Sequence, residues 1–199
     1  MIRRYMVLAA ALAIAPSVML AATYDIDPAH STAQFKVRHL MVSNVGGEFG
    51  KVMGTIAYDQ ADPSKSSVEA TIDATTIDTR QPQRDEHLKS PDFFDVAKFS
   101  TITFKSKKVE KAGEGKLKVT GDLTMKGVTK EVTLDVDGPY AEINGGRGEF
   151  KSGASATTKI NRQDFGVSWS KTMDGGGLVV GDEVTVTIEI EMVKKQPAS

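Results

Sequence analysis

The sequence predicts an all-β fold in which eight antiparallel strands form one sheet that closes into a barrel, with one short helix in a loop. Alternation of apolar and polar residues with a period of two dominates the chain after residue 31. Short turns separate the alternating segments, and no segment predicts a helix long enough to connect parallel strands. A sheet of eight strands either closes into a barrel or splits into a sandwich, so the sandwich stays an alternative.

The strands are clearest where one face carries only apolar residues. In segment 184–192 every even position is apolar and every odd position is Thr or Glu. Segment 49–58 is apolar on both faces and contains two glycines, which predicts a bent or bulged strand. The dipeptide Lys126-Gly127 predicts a tight hairpin. The predicted strands are 32–41, 49–58, 68–74, 101–105, 117–125, 131–136, 150–160 and 184–192.

One segment, 82–89, predicts a helix because Pro82 stands at its start and Pro91 follows its end. It belongs to a dense polar cluster that is either a lid or head-group site at a barrel mouth, or the solvated face of a short helix. Aromatic residues beside the strands form either a plug that closes one barrel end or a gate for an apolar ligand. The cluster is Arg80, Arg84, Asp85, Glu86 and His87, and the aromatic residues are Phe93, Phe94, Phe99, Phe165 and Trp169.

The first 22 residues predict a cleavable secretory signal. Arg3 and Arg4 precede an apolar run that Pro16 interrupts, and the run ends in small residues up to Ala22. This run is shorter than the roughly 20 residues that a membrane span needs. We therefore expect residues 1–22 to be removed on export and residues 23–199 to form one domain outside the cytoplasm.

The composition excludes several functional classes. Apolar residues make up 40% of the 199 residues, which is enough to build a core. With 25 basic and 26 acidic residues, the net charge of −1 lacks the basic excess typical of nucleic-acid binding, so no nucleic-acid partner is expected. The absence of cysteine excludes disulfides, thiolate catalysis and cysteine zinc sites.

The predicted inner face of the barrel is almost free of charge. Its rows contain no Asp, Glu, Lys or Arg, and His39 is the only ionisable residue there. Small residues lie on the same rows: Ala33, Ala70, Ala74, Ala154 and Ala156. They favour a ligand cavity, although a packed core is the alternative. The histidines lack close ligand spacing, so no metal site is predicted, and no catalytic constellation is present.

Four ordered motifs resemble the YceI-like family of secreted bacterial proteins. They are YDIDPAHSTAQFKVRHL from residue 24, DTRQPQRDEHLKSPDFFDVAKFSTITF from residue 78, GDLTMKGVTKEVTL from residue 121 and RQDFG from residue 162. The chain departs from the family at Val96, because relatives often have proline shortly before the corresponding Phe99. The resemblance covers residues 24–192, nearly the whole predicted domain.

The resemblance implies a lipocalin-like barrel whose lumen holds an amphiphile with a long isoprenoid tail, of the polyprenol or prenyl-quinone type. It also implies a periplasmic location, ligand exchange with a membrane, and a homodimer as in many relatives. No catalytic residue and no other cofactor are carried over. The predicted ligand-binding residues are Phe35, Val37, His39, Phe49, Ile72, Arg84, His87, Leu88, Phe93, Phe94, Phe104, Leu123, Met125, Ala154, Phe165, Trp169 and Ile188.

Three functions follow as hypotheses. The first is binding, transport or storage of an isoprenoid lipid or prenyl-quinone. The second is an enzyme or stress-related factor that acts on such a quinone, with His39 or the pair Arg84 and His87 as acid–base groups. The third is a packed structural barrel with a protein partner.

Overall fold

The computed structural model describes residues 21–196, so the predicted signal up to residue 20 lies outside the described residues. One α-helix, α1 (Pro82–Lys89), and twelve strands make up the regular structure of this part. The helix has the bounds that the sequence predicts. The strands are β1 Ala22–Ile26, β2 Thr32–His39, β3 Ser43–Phe49, β4 Val52–Tyr58, β5 Ser67–Asp73, β6 Ile77–Asp78, β7 Thr101–Gly113, β8 Lys116–Met125, β9 Val128–Asp137, β10 Ile143–Gly146, β11 Glu149–Asn161 and β12 Val180–Lys194.

The strands form a closed antiparallel barrel with eight strand positions around its circumference, which we call staves. Strand β12 pairs along one edge with β11 and along the other with β1 and β2, which lie end to end. The sheet continues from β1 through β4, β5, β7, β8 and β9 back to β11. Four staves are broken into pairs, namely β1 with β2, β3 with β4, β5 with β6, and β9 with β10. The prediction of an eight-stranded barrel is therefore confirmed.

Of the strand boundaries that differ from the sequence prediction, two have clear local reasons. The predicted strand 49–58 is broken after Phe49, where Lys51 adopts a left-handed backbone with φ 52°. Strand β7 runs eight residues beyond the predicted end at residue 105. A register shift between Ser106 and Lys108 puts the alternation out of phase, so Val109 faces inward at an odd position after Phe104. This bulge hides the second half of β7 from a period-two pattern.

Apolar packing is concentrated at the two ends of the barrel. At the end that carries α1, called the helix end here, the buried cluster includes Phe49, Val52, Phe93, Ile102 and Met125. The opposite end, called the hairpin end, lies at the β7–β8 turn. The buried cluster there consists of Val109, Leu117 and Val119.

The side chain of Arg162 ties the segment after β11 to the start of β12. Its guanidinium is only 4% exposed, and all five of its N–H groups donate. The acceptors are the carbonyl oxygens of Val167, Trp169, Val180 and Gly181 and the carboxylate of Asp182, at 2.6–3.2 Å. Burial lowers the pKa of Arg162, and Asp182 opposes this shift. One side chain thus satisfies the backbone of two segments.

We expect Arg162→Leu to lower the free energy of unfolding by about 3 kcal/mol, because the four carbonyl groups each lose a hydrogen bond and Asp182 keeps only the donor from Gln163. Urea unfolding of the purified protein measures this change. The exposed Arg147 provides the control, since Arg147→Leu removes the same charge and should change stability by less than about 0.5 kcal/mol. Equal stability of the two variants would contradict the structural role of Arg162.

Candidate functional site

A cavity of about 400 Å³ occupies the inside of the barrel. It extends from His39 and Trp169 at the helix end to Leu117 and Val136 at the hairpin end. The strand residues that line it come from the apolar rows of the sheet, which closure turns inward. The interior is therefore not filled by interlocking side chains, as the packed-barrel alternative requires.

Small side chains make this space available. Ala70, Ala154 and Ala156 line the cavity, and the last two pair with the larger Ile190 and Ile188 of β12. Ala70 pairs with Phe104 across one edge of β5 and with Gly54 across the other. A Cβ atom on Gly54 would clash with the carbonyl oxygen of Glu69, so only glycine fits here between β4 and β5. Beside Phe104, this part of the wall therefore carries only the methyl group of Ala70 and a glycine.

The lining has a marked polar asymmetry. The cavity-lining residues of the described chain include no Asp, Glu or Lys. Its cationic or titratable nitrogen groups come from His39, Arg84, His87 and Arg162, and all four residues lie at the helix end. Arg162 is saturated by the contacts described above, which leaves three side chains for a polar group of a ligand. An apolar body with one polar end is the shape of an amphiphile site.

A short hydrogen-bonded turn holds Arg84 at the cavity. Its Nε donates to the Thr79 hydroxyl oxygen and its Nη2 to the Thr79 carbonyl oxygen, both at 2.8 Å. Thr79 donates in turn from its N–H to the carboxylate of Asp85, 2.9 Å away. Since Thr79 is 4% exposed, this network fixes the side of α1 that faces the cavity. The polar cluster of the sequence is thus partly a cavity wall and partly a solvated helix face.

Aromatic side chains close the cavity beside this helix. The ring of His87 stands edge-on to Phe93 at 5.0 Å and to Trp169 at 5.4 Å, and the rings of Phe93 and Trp169 lie 5.4 Å apart. Nε2 of His87 lies 3.0 Å from the carboxylate of the exposed Asp92. Aromatic contacts of this kind contribute about 1 kcal/mol each beyond area burial. The ring cluster is therefore a packed closure that also contacts the cavity.

The structure brings all but one of the predicted ligand-binding residues to the cavity. The exception is Phe165, which is 2% exposed and packs in the helix-end core without lining the cavity. A 3-10 turn over Arg162–Phe165 directs this ring into the core, and Val167 lines the cavity instead. The predicted ligand-binding residues that line the cavity are Phe35, Val37, His39, Phe49, Ile72, Arg84, His87, Leu88, Phe93, Phe94, Phe104, Leu123, Met125, Ala154, Trp169 and Ile188.

Sequence reasoning missed other parts of the wall. Val136 and Met192 stood on predicted inward rows, so the alternation was the signal that could have identified them. Tyr58, at the hairpin end, belongs to a segment that is apolar on both faces, so the pattern did not assign its side. Arg162 follows the end of a strand, where no periodicity applies.

A separate cluster lies outside the barrel. Asp27, His30 and Glu191 place possible ligand atoms within 4.8 Å of one another. Nζ of Lys151 already occupies the same region, at 2.7 Å from Glu191 and 3.7 Å from Asp27. The hydrogen bond from His30 lowers the pKa of Asp27, and that from the Ala29 N–H adds to this effect. These contacts describe a surface ion-pair network around the buried Ser31.

Residues 24–192 match the model of the YceI-like domain. A UPF0312 protein of Vibrio parahaemolyticus is 39% identical over 194 residues, which cover 94% of this chain and 97% of the relative. The crystal structure of a Campylobacter jejuni YceI protein is 34% identical, with a TM-score of 0.66 over 79% of this chain and 90% of the other.

A polyisoprenoid-binding domain from Saccharophagus degradans, implicated in plant cell wall breakdown, shares the fold. Its TM-score is 0.60 at 16% identity, over 89% of this chain and all of the other. In the part of the chain that the structure describes, no helix is long and apolar enough to cross a membrane.

The single tryptophan of the chain, Trp169, lines the cavity. We expect an apolar ligand that enters the cavity to change its fluorescence in a saturable way, because it replaces water near the indole ring. Titration of the purified protein with a prenyl-quinone in detergent measures the change. Trp169→Phe should abolish the signal but leave the amount of bound quinone within about twofold, since Phe keeps most of the apolar contact. A wild-type signal that does not saturate would argue against entry.

Proposed function

The chain belongs to the YceI-like family, and on that premise we propose that it binds a long-chain isoprenoid lipid or prenyl-quinone in the barrel cavity and transports or stores it in the periplasm. The YceI-like fold is a binding barrel and not a known enzyme class. The observation that carries the proposal is the cavity itself: its walls are mainly apolar, and the cationic or titratable nitrogen groups that line it lie at the helix end. The domain from Saccharophagus degradans, which binds a polyisoprenoid, supports the same ligand class.

The energetics of burial favour a long apolar tail. Removing about 15 methylene groups from water contributes roughly 12 kcal/mol at about 0.8 kcal/mol for each group. Loss of translational and rotational freedom opposes this by several kcal/mol or more. The remainder corresponds to micromolar to nanomolar affinity. Because the walls carry no ionised acid along the tail, the lipid tail meets no uncompensated charge there.

The helix end is the proposed site for the head group. Quinone carbonyl oxygens and alcohol hydroxyls accept hydrogen bonds, and Arg84, His39 and His87 supply nitrogen donors at this end of the cavity. The head group would thus meet the polar end while the tail extends toward Val136. Binding in this orientation leaves the polar group near the rim, where partial hydration lowers the desolvation cost.

Location and assembly belong to the same proposal. The predicted signal over residues 1–22 supports export, and the absence of cysteine means that the barrel folds there without disulfides. A lipid of this kind resides in membranes, so the carrier is proposed to exchange its ligand with a membrane surface. A homodimer is proposed from the family resemblance alone.

The first test is identification of the ligand. Protein expressed with its signal in bacteria and purified without detergent should carry a lipid that native mass spectrometry detects as added mass. Organic extraction and mass spectrometry would then identify an isoprenoid chain. An apo mass under gentle conditions, together with no uptake of added prenyl-quinone, would overturn the proposal. A chemically altered lipid after incubation would instead support the alternative that the protein acts on the quinone.

Filling the cavity tests where the lipid sits. We expect Ala70→Phe to reduce bound lipid by at least about tenfold, because the ring takes space from the tail in the middle of the barrel. The neighbouring exposed residue offers a matched control: Glu69→Phe adds the same ring on the outer face and should leave lipid binding unchanged. Both variants are checked for thermal unfolding. Normal lipid content in a folded Ala70→Phe protein would place the ligand elsewhere.

A further inference from the structure

An exposed apolar surface lies at the helix end, outside the cavity. Val42 is 75% exposed, Met41 54% and Leu40 39%, and all three form the turn between β2 and β3. The half-buried Met173 lies beside them, since a Cβ atom added to Gly177 would lie 3.2 Å from Met173 and 3.4 Å from Met41. We call Leu40, Met41, Val42 and Met173 the turn surface. Grouped apolar side chains in water are uncommon and mark interaction sites.

The backbone conformation of this turn rarely carries two large apolar residues. The N–H of Val42 donates to the carbonyl oxygen of His39, and the two residues between them have φ 50° and 59°. Turns with two left-handed central residues favour glycine, as the chain itself shows at Lys126-Gly127 and Arg147-Gly148. Leu40-Met41 keeps two large apolar residues in this strained position. Neither side chain is buried in the fold, so folding does not explain the choice.

The turn surface adjoins residues that line the cavity at the helix end. The N–H of Leu40 donates to the carbonyl oxygen of Val179 at 2.9 Å, and both Val179 and its neighbour Val180 line the cavity. His39, which precedes the turn, also lines it and is half-buried. The turn surface therefore lies beside the helix end of the cavity.

Cations surround the turn surface. Lys36, Arg38 and Lys171 are exposed and form no ion pair among residues 21–196. Most other lysines of this part pair with a carboxylate, for example Lys107 with Asp122 at 2.6 Å. Asp174 is the exposed acid in the same loop as Lys171. A net positive rim around apolar side chains, on a chain of net charge −1, complements an anionic lipid surface.

A second exposed apolar group serves as a comparison. Ile143, 64% exposed, and Phe150, 43% exposed, lie near the hairpin end. Two acids stand beside them, Glu142, which pairs with Lys194, and the exposed Glu149. The exposed Arg147 in this hairpin forms no ion pair among the described residues, but the exposed Glu149 stands two residues from it, so this group has no excess of free cations. This group is therefore less suitable for an anionic bilayer than the turn surface.

We propose that the turn surface docks the barrel onto an anionic lipid bilayer, with Leu40 and Met41 inserted among the lipids and the helix end of the cavity held against the membrane. The inference rests on the proposed function, because docking places a lipid-binding cavity where its ligand resides. The strained turn then has a physical reason: it projects two apolar side chains away from the barrel. The cations attract the surface before the apolar side chains insert.

The test is flotation of the purified full chain with vesicles of phosphatidylcholine and phosphatidylglycerol. We expect the double variant Leu40→Asn, Met41→Gly to reduce the bound fraction by at least about tenfold. The same variant should unfold at an equal or higher temperature, since Asn-Gly relieves the left-handed strain. Ile143→Asn is the control and should bind as the wild type does. Equal flotation of the wild type and the double variant would overturn the inference.

A second variant separates charge from apolar insertion. Lys36→Gln with Lys171→Gln should weaken binding to anionic vesicles by about 25-fold, at about fivefold for each cation, and should not change binding to pure phosphatidylcholine. No effect of these substitutions on anionic vesicles would overturn the electrostatic part. If the wild type forms a dimer but does not bind vesicles, and the double variant is monomeric, the docking inference is wrong and the turn surface contacts a second copy of the chain instead.

Uptake from detergent distinguishes this inference from the proposed function. The double variant keeps the cavity, so its equilibrium binding of prenyl-quinone in detergent should equal that of the wild type while transfer from vesicles slows by at least about tenfold. If neither protein binds quinone in detergent but the wild type still floats, the proposed function fails alone. If both bind quinone and neither floats, the docking inference fails alone.

Discussion

Closure of the sheet at β12 is the constraint on which the rest of the structure depends. This strand has partners along both edges, β11 on one side and β1 with β2 on the other. Once the last edge is paired, every stave has an inner face and an outer face, and a strand cannot slip by one residue without exposing its apolar row. The alternation along the chain is therefore converted into a charge-poor interior and a charged exterior. No separate lid domain is needed to exclude water.

Closure alone would be compatible with a filled interior, and residue size decides against it. Large side chains gather at the two ends, around Phe93 and Met125 on one side and around Leu117 on the other. Alanine stands on the inner rows between them, at Ala70, Ala154 and Ala156. The ends supply the apolar burial that stabilises the barrel, so the middle can remain open without a large loss of stability. The two ends of the barrel thus provide stability, and its middle provides the space for a ligand.

The helix end combines three elements that are distant in sequence. Helix α1 supplies Arg84 and His87, the segment after β11 supplies Trp169, and the end of β2 supplies His39. The buried Arg162 connects the segment after β11 to the start of β12, and the hydrogen bond from Leu40 to Val179 connects the end of β2 to the residue before β12. The ring of His87, which stands edge-on to Trp169, places α1 beside them.

The sequence by itself determined the fold class, the helix at 82–89 and most of the cavity wall, because side-chain alternation with a period of two follows from the pleat of any strand. It could not show the break of the predicted strand 49–58, the bulge in β7 or the burial of Phe165, because each depends on a local departure from that pleat. Which strands meet, whether the enclosed space is filled, and which loops share one rim were decided only by the tertiary structure. These features depend on distances between residues far apart in the chain, such as Arg162 and Asp182, and a local pattern carries no information about such distances.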